Sequence, residues 1–349
     1  MKENSIALKR MVNQQIREPK FLQPAEVVKY MVAMQAQDYA GAKWAVGLRM
    51  QNSSDTIVEQ AITDGKILRT HLLRPTWHFV SPEDIRWILA LSAPRINAVN
   101  AGMYKKYELD NKVFSKSNDV FANTLQGNKQ LTRSEIVTAL QNSGIATDDL
   151  RLTLLLMHAE LDAIICNGAK VGKQFTYALL DERAPVYPML THEEALTKLA
   201  DGYFKTRGPA TIHDFATWAG ITVTDANTGL QNVGHQLINE IIEGKTYWMS
   251  YNAEHTNDKK TTACLLPAFD EFAIAYKDRD AIVNPKYLQQ AKRVIFDPSI
   301  IVDNQVVGTW KRTVRTNKVD ISLNLFGKPN IAQTKAVEQA VNRYKKYMD

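Results

Sequence analysis

The chain has 349 residues, of which 45% are hydrophobic and 23% charged, so it is large enough for two or three folded domains. No apolar run approaches the roughly 18 residues that a bilayer-spanning helix needs, and the first residues lack an apolar signal sequence, so we expect a cytoplasmic protein without a membrane partner. Cys166 and Cys264 are the only cysteines, which argues against a disulfide framework, and we expect two buried thiols.

The net charge of +6 is concentrated at the C-terminal end of the sequence. Residues 292–349 hold 11 Lys and Arg against 5 Asp and Glu, a surplus of six, so the rest of the chain is neutral. A basic patch at one end is typical of a surface that binds a polyanion. A solvated terminal helix has the same composition, and charge alone does not separate the two interpretations.

Helical periodicity dominates the sequence, and three stretches repeat one order of elements. In each stretch, amphipathic helices are followed by a short strand-rich segment that ends in a turn. Because this is the order of a winged helix, we predict a mainly α, α+β chain with three tandem winged-helix motifs. We place the motifs at 1–125, 126–190 and 191–260, before a β-rich C-terminal domain at 261–349.

Capping residues mark the helices of the second and third motifs. Thr132 and Glu135 form a capping box at the start of one helix, which Gly144 ends. The third motif repeats this order of cap, acidic residue and closing glycine at Thr211, Asp214 and Gly220.

The C-terminal region is rich in β-branched residues, which predicts a β-meander or a small barrel. Hairpin turns are predicted at Asp303-Asn304 and at Thr316-Asn317. The second of these hairpins carries four basic residues, Lys311, Arg312, Arg315 and Lys318. A terminal helix is predicted from Ile331 to Met348.

The common sequence signatures of catalysis are absent. The chain has no glycine-rich phosphate-binding loop, and no two of its seven histidines are three or four residues apart, so we predict neither a cofactor nor a metal site. The adjacent acids Asp270 and Glu271 point apart on any regular element and do not form a facing pair. We expect them to cap a helix or bridge domains, and a role in a cleft stays open.

Two neutral amides, Gln35 and Gln37, are separated by Ala36, and Gln35 is the last residue of the helix-like stretch PAEVVKYMVAMQ. On a helix they would lie roughly 200° apart and face opposite ways, so they converge only in an extended segment or where a helix stops. From the residues alone, the favoured interpretation is that each amide bonds a buried backbone group near a helix end.

Five separated stretches resemble the bacterial winged-helix DNA-binding family that contains the AlkZ-like DNA glycosylases. They are VVKYMVAMQAQDYAGAKWAVGLR, ILRTHLLRPTWHFVSPEDIRWIL, RGPATIHDFATWAG, LLPAFDEFAIAYKDR and VVGTWKR, in this order over nearly the whole chain. The resemblance implies three tandem winged helices and a C-terminal β-barrel. The chain departs from the family pattern at residues 74–78, where R-P-T-W-H replaces R-G-T-L-H.

The resemblance also implies an activity. Characterised members of the family excise alkylated purines, and some unhook interstrand crosslinks. Their Q-Φ-Q or Q-Φ-D motif falls on Gln35 and Gln37, which we therefore predict to be catalytic, with Asp38 as the alternative base. Since no lysine is marked as an amine nucleophile, we expect a monofunctional DNA glycosylase with water as the nucleophile. Double-stranded DNA is the expected partner, no cofactor is implied, and we expect a monomer.

Six basic residues are predicted to contact DNA: Arg69, Arg74, His78, Lys311, Arg312 and Arg315. The first three lie on the strand pair of the first motif and the others on the basic hairpin. Each also has a structural interpretation, as charge on a sheet edge or as a core histidine. For the whole chain, the alternative is a non-catalytic winged-helix DNA-binding protein or transcriptional regulator.

Overall fold

The computed structural model describes residues 3–251, 260–315 and 318–349. The fold is mixed α/β and about half helical. The chain divides into two compact units, of which unit 1 combines Met1–Glu59 with Thr197–Asp349 and unit 2 is Gln60–Leu196. Within the described ranges, no helix combines the length and the apolar character that crossing a bilayer requires.

The N-terminal part of unit 1 consists of short helices and one strand. These elements are α1 (Glu3–Asn13), α2 (Pro24–Tyr30), β1 (Ala33–Gln35), α3 (Tyr39–Leu48) and α4 (Asp55–Thr63), the last of which runs into unit 2. The buried ammonium group of Lys43 on α3 bonds the carboxylates of Asp55 and Glu59 on α4, each at 2.7 Å. These charge-assisted bonds hold α3 against α4.

The helix predicted over PAEVVKYMVAMQ is shorter than its periodicity indicates. It ends at Tyr30, Val32 has a left-handed φ of 63°, and the chain continues as β1. The backbone carbonyls of Met31 and Ala33 are bonded by the guanidinium of Arg207 instead of by a following helical turn. A tertiary hydrogen bond therefore overrides the local helical pattern at this point.

Unit 2 packs helices against two small antiparallel sheets. Its elements are β2 (Leu68–Leu72), β3 (Thr76–Val80), α5 (Ile85–Lys106), α6 (Asn111–Leu125), β4 (Leu131–Thr132), α7 (Arg133–Asn142), α8 (Arg151–Leu161), β5 (Ile165–Asn167), β6 (Thr176–Leu179) and α9 (Leu180–Arg183). Strands β2 and β3 form a hairpin, and the second sheet has the order β4-β6-β5. The predicted capping box of Thr132 and Glu135 is confirmed, and Gly144, with φ of 69°, follows the end of α7.

The remainder of unit 1 contains a second helical group and the C-terminal sheet. Its elements are α10 (His192–Arg207), which begins in unit 2, α11 (Ile212–Ala219), α12 (Val223–Val233), β7 (Leu237–Ile242), β8 (Lys245–Ser250), β9 (Ala263–Leu266), α13 (Glu271–Ile274), α14 (Leu288–Arg293), β10 (Ser299–Val302), β11 (Gln305–Arg315), β12 (Lys318–Leu325) and α15 (Ile331–Met348). The predicted caps Thr211 and Asp214 and the left-handed closing residue Gly220 are confirmed on α11. The terminal helix α15 has the predicted bounds.

The C-terminal sheet is an open antiparallel meander in the order β12-β11-β10-β9. Among the described strands it does not close into a barrel. The predicted turn at Asp303 and Asn304 is confirmed, with φ of 48° and 70°. Thr316 and Asn317 lie outside the described residues, while β11 and β12 pair up to that point. Helix α15 packs on β9 and β10.

Both cysteines lie in strands of the core. Cys166 on β5 is fully buried and Cys264 on β9 is 6% exposed, and the two are not bonded to each other. Burial raises the pKa of each thiol from its usual value near 9 to about 12. The predicted buried thiols are therefore confirmed.

We expect neither thiol of the folded protein to react with Ellman's reagent at about pH 8, because the thiolate is the nucleophile and the folded state favours the protonated form. Both should react once the chain is unfolded in guanidinium chloride. The pKa of each thiol is raised by folding, so its contribution to stability is complete below about pH 9 and declines as the pH rises towards 12. Rapid release of thionitrobenzoate from the native protein would contradict this expectation.

Candidate active site

Residues 34–37, which carry the two glutamines, alternate between buried and accessible positions. Met34 and Ala36 are buried, Gln35 is half-buried and Gln37 is exposed. Strand β1 ends at Gln35, so the chain is extended up to the first amide, and it bends at Gln37 and Asp38 before α3 begins. A burial period of two is that of an extended chain with one face on the core.

The side-chain carbonyl of Gln35 is an acceptor in a protected place. Its Oε1 atom is buried and accepts no hydrogen bond from the described residues. Leaving a buried acceptor unsatisfied costs about 1–3 kcal/mol, and such groups are few in native proteins. The backbone of Gln35 is fixed, since its N–H donates to Glu271 Oε1 at 2.9 Å. Gln35 thus presents an unsatisfied acceptor on a strand end that is held in place.

Glu271 holds this strand end through a buried network. Its carboxylate is 1% exposed, and Oε2 accepts from Arg207 Nε and Nη2 at 3.0 and 2.8 Å and from Trp218 Nε1 at 2.9 Å. Arg207 in turn donates to the carbonyls of Met31 and Ala33 at 2.9 and 2.7 Å. We call Glu271, Arg207 and Trp218 the Glu271 network. It fixes the backbone of β1 at both ends.

The neighbouring acid, Asp270, makes a separate buried pair. Its Oδ1 and Oδ2 atoms each accept from Arg49 at 2.9 Å, and Oδ1 also caps α13 by accepting the N–H of Phe272. Burial works against the charge of Arg49, but Asp270 raises the pKa of the guanidinium overall. The predicted helix cap is confirmed for Asp270. Asp270 and Glu271 each pair with a buried arginine.

A cavity of 290 Å³ is lined by Asp38, the residue that directly follows the glutamine motif. Asp38, Pro267, Lys311 and Arg312 line it together with aromatic side chains. The carboxylate of Asp38 lies over the first turn of α3, where a Cβ atom on Gly41 would come within 2.6 Å of Oδ2. A side chain at position 41 would therefore force the Asp38 carboxylate to move.

The predicted basic residues of β11 divide between two faces of the strand. Arg312 is half-buried and donates to the hydroxyl of Tyr344 at 2.7 Å. Burial lowers the pKa of this guanidinium, but the bond to Tyr344 and the nearby carboxylate of Asp38 raise it overall. Lys311 and Arg315 are exposed and, by strand alternation, share the opposite face.

The other three residues predicted to contact DNA lie in unit 2. Arg69 on β2 is 6% exposed, and its guanidinium lies over the ring of Trp77 at 4.0 Å. Arg74 is half-buried in the turn between β2 and β3. His78 on β3 is fully buried, with Nδ1 at 2.9 Å from the carbonyl oxygen of Thr76.

Arg207 and Trp218 were not among the site residues predicted from the sequence. Both lie in the stretch RGPATIHDFATWAG, which was recognised only as one of the family-like segments and as a capped helix. The one signal that could have pointed to these two residues was their position in a segment that resembles the family. Nothing in their local pattern pointed to a carboxylate more than 50 residues further along the chain.

We expect Glu271→Gln to lower the free energy of unfolding by about 3–5 kcal/mol, because it leaves the buried charge of Arg207 without a counter-charge. The change is measured by urea unfolding followed by circular dichroism. Glu338→Gln, the same change at an exposed position of α15, is the control and should stay within about 0.5 kcal/mol of the parent. A loss below about 1 kcal/mol for Glu271→Gln would show that the charge of Glu271 is not needed to stabilise the buried guanidinium of Arg207.

Comparison with known proteins places the chain in a family. The interstrand DNA cross-link repair glycosylase of Streptomyces sahachiroi is 24% identical over 320 residues, which are 86% of this chain and 85% of that protein. The solved structure of DNA glycosylase AlkZ from the same organism superposes with a TM-score of 0.76 at 20% identity and covers 99% of this chain and 96% of that one. The model of the family described as DNA glycosylase AlkZ-like matches residues 28–347, and with that span the chain belongs to the AlkZ-like DNA glycosylases.

Proposed function

We propose that this DNA glycosylase hydrolyses the N-glycosidic bond of cationic alkylated purines, with Gln35 and Gln37 as its catalytic residues. The observation that carries the proposal is the buried, unsatisfied Oε1 of Gln35 on a strand end fixed by Glu271. Since burial alternates along residues 34–37, Gln37 is proposed to face the same side as Gln35.

The chemistry suits two neutral amides. A purine alkylated at N3 or N7 is already cationic, so the base departs as a neutral molecule and needs no acid. The C1′–N9 bond breaks with its electron pair going to the base, the oxygen of a water molecule bonds to C1′, and a proton of that water passes to the solvent. The sugar is oxocarbenium-like in the transition state. Amide oxygens hold the water and direct the negative end of a dipole at this positive charge.

The size of this rate enhancement limits the class of glycosidic bond that the proposed mechanism can hydrolyse. Positioning and electrostatics of about 100- to 1000-fold correspond to roughly 3–4 kcal/mol of the barrier. That is enough for a bond already weakened by alkylation and far too little for an intact nucleotide. The name of the Streptomyces sahachiroi relative supports an extension to crosslinks, in which each alkylated purine is released by the same reaction.

We further propose that the helical repeats are three winged helices that bind duplex DNA as a monomer in the cytoplasm. The wings are the hairpins β2–β3, β5–β6 and β7–β8, within the domain limits expected from the sequence. The proposed DNA contacts are Arg69, Arg74, Lys311, Arg312 and Arg315, whereas the full burial of His78 favours its structural interpretation as a core histidine. Lys311 and Arg315 are exposed on one face of β11 and are the strongest members of this set, while Arg312 acts from its position against Tyr344.

We expect Gln35→Ala and Gln37→Ala each to slow single-turnover release of N7-methylguanine from a duplex by about 100-fold, roughly 2.7 kcal/mol, with duplex affinity within about twofold. Release is measured as alkali-labile abasic sites and affinity as a gel shift. Gln51→Ala removes an exposed amide of unit 1 and serves as the control.

The aspartate variant sharpens this test. Gln37→Asp recreates the Q-Φ-D form of the motif and should retain most of the activity, since the carboxylate also accepts a hydrogen bond from water. Unchanged release by both alanine variants would remove the glutamines from the mechanism. Tight duplex binding by the parent protein without release of any cationic base would refute the proposed substrate class.

We expect Lys311→Ala and Arg315→Ala each to weaken duplex binding and to reduce the slope of log affinity against log salt concentration by about 0.9, the effect of one lost phosphate contact. The slope is measured by fluorescence anisotropy over a salt series. Lys346→Ala removes an exposed charge from the last turn of α15 and should leave the slope unchanged. Parent-like slopes for both hairpin variants would exclude this face of β11 from the DNA interface.

A further inference from the structure

Unit 2 contains a pocket of 410 Å³ that the proposed reaction does not use. Basic and aromatic side chains dominate its lining: Arg69, Arg133, Lys173, Trp77, Phe175 and Tyr177. No carboxylate belongs to this lining in the described part of the chain. The pocket is formed by the β2–β3 hairpin, the start of α7 and the loop between β5 and β6.

The carboxylate of Glu160 near the pocket lies in the core and is not exposed at the pocket surface. Glu160 on α8 is fully buried, and its Oε2 contacts Nδ1 of His71 and accepts the backbone N–H of that residue. At the pocket itself, Lys173 is exposed, and exposed Arg133 is oriented by donating to the hydroxyl of Thr153 at 2.9 Å. The accessible rim is therefore cationic and suits a phosphate group.

The aromatic part of the pocket is preorganised around Arg69. Its guanidinium lies 4.0 Å from the ring centre of Trp77 and 5.0 Å from that of Phe175, and its backbone N–H donates to Asn167 Oδ1. These cation–π contacts fix the positions of both rings. Phe175 nevertheless leaves 40% of its surface exposed, so part of a positioned aromatic ring remains open to a ligand.

We propose that this pocket binds one unstacked nucleotide of a single DNA strand, with its base on Phe175 and its phosphate on Lys173 and Arg133. A cationic rim beside an exposed aromatic ring is the combination that holds single-stranded nucleic acid. Bases within a duplex have both faces covered by their neighbours, so only an unstacked nucleotide offers a face to Phe175. The volume is in the range of small-ligand sites.

The proposal rests on DNA being the ligand of this family and does not depend on the roles of Gln35 and Gln37. It assigns unit 2 a strand-binding function, which would engage a frayed or displaced segment near a lesion. A binding assay tests it without base release, so failure of the catalytic proposal would leave this test unaffected.

The test compares a Lys173→Ala/Phe175→Ala variant with a matched control, Lys112→Ala/Leu150→Ala, which removes an exposed lysine and an exposed apolar side chain elsewhere in unit 2. Fluorescence anisotropy measures the affinity for an oligothymidine of about ten nucleotides and for a blunt duplex. We expect the pocket variant to bind the single strand about 10-fold more weakly and the duplex within about twofold of the parent. Its salt slope on the single strand should fall by about 0.7.

Three results would overturn the proposal. The first is parent-like affinity of the pocket variant for the single strand, and the second is an equal loss of affinity for the single strand and the blunt duplex. The third is that free thymidine monophosphate competes as well as the oligomer does when both concentrations are expressed per nucleotide. Tighter binding of the matching RNA strand would overturn the assignment to DNA. We expect the pocket variant to fold, because both substituted residues are exposed, and circular dichroism checks this.

Discussion

The buried carboxylate of Glu271 is the interaction on which the candidate active site depends. An isolated carboxylate in the core would be strongly unfavourable, and it is stable here because Arg207, Trp218 and the backbone of Gln35 all donate to it. The same guanidinium fixes the carbonyls around β1. A buried charge pair thus fixes the backbone that carries Gln35, a neutral amide with no charge of its own.

Features that depend on neighbouring residues were predicted from the sequence, and those that depend on distant residues were not. The capping box at Thr132 and the bounds of the terminal helix Ile331–Met348 follow from local hydrogen bonding and periodicity. The end of α2 at Tyr30 did not, because Arg207 bonds the carbonyls that a longer helix would have used. The glutamine pair was found through family resemblance, whereas the Glu271 network, which has no local pattern, was not found.

Both acids of the Asp270-Glu271 pair are adjacent in sequence but serve separate arginines. Opposite orientations on one short helix allow Asp270 to pair with Arg49 and Glu271 with Arg207. Each carboxylate is therefore saturated by buried donors and is not available as a general acid. This arrangement agrees with the proposed restriction to cationic bases, in which alkylation of the substrate has already weakened the bond.

The division of unit 1 into two sequence segments has a consequence for synthesis of the protein on the ribosome. Gln35 is made early, but the carboxylate that fixes it is 236 residues further along the chain, beyond the whole of unit 2. At roughly 5–20 residues per second, translation would separate the two by about 10 to 50 s. Unit 2 can fold during that interval, whereas the glutamine motif remains without its partner until most of the chain has left the ribosome.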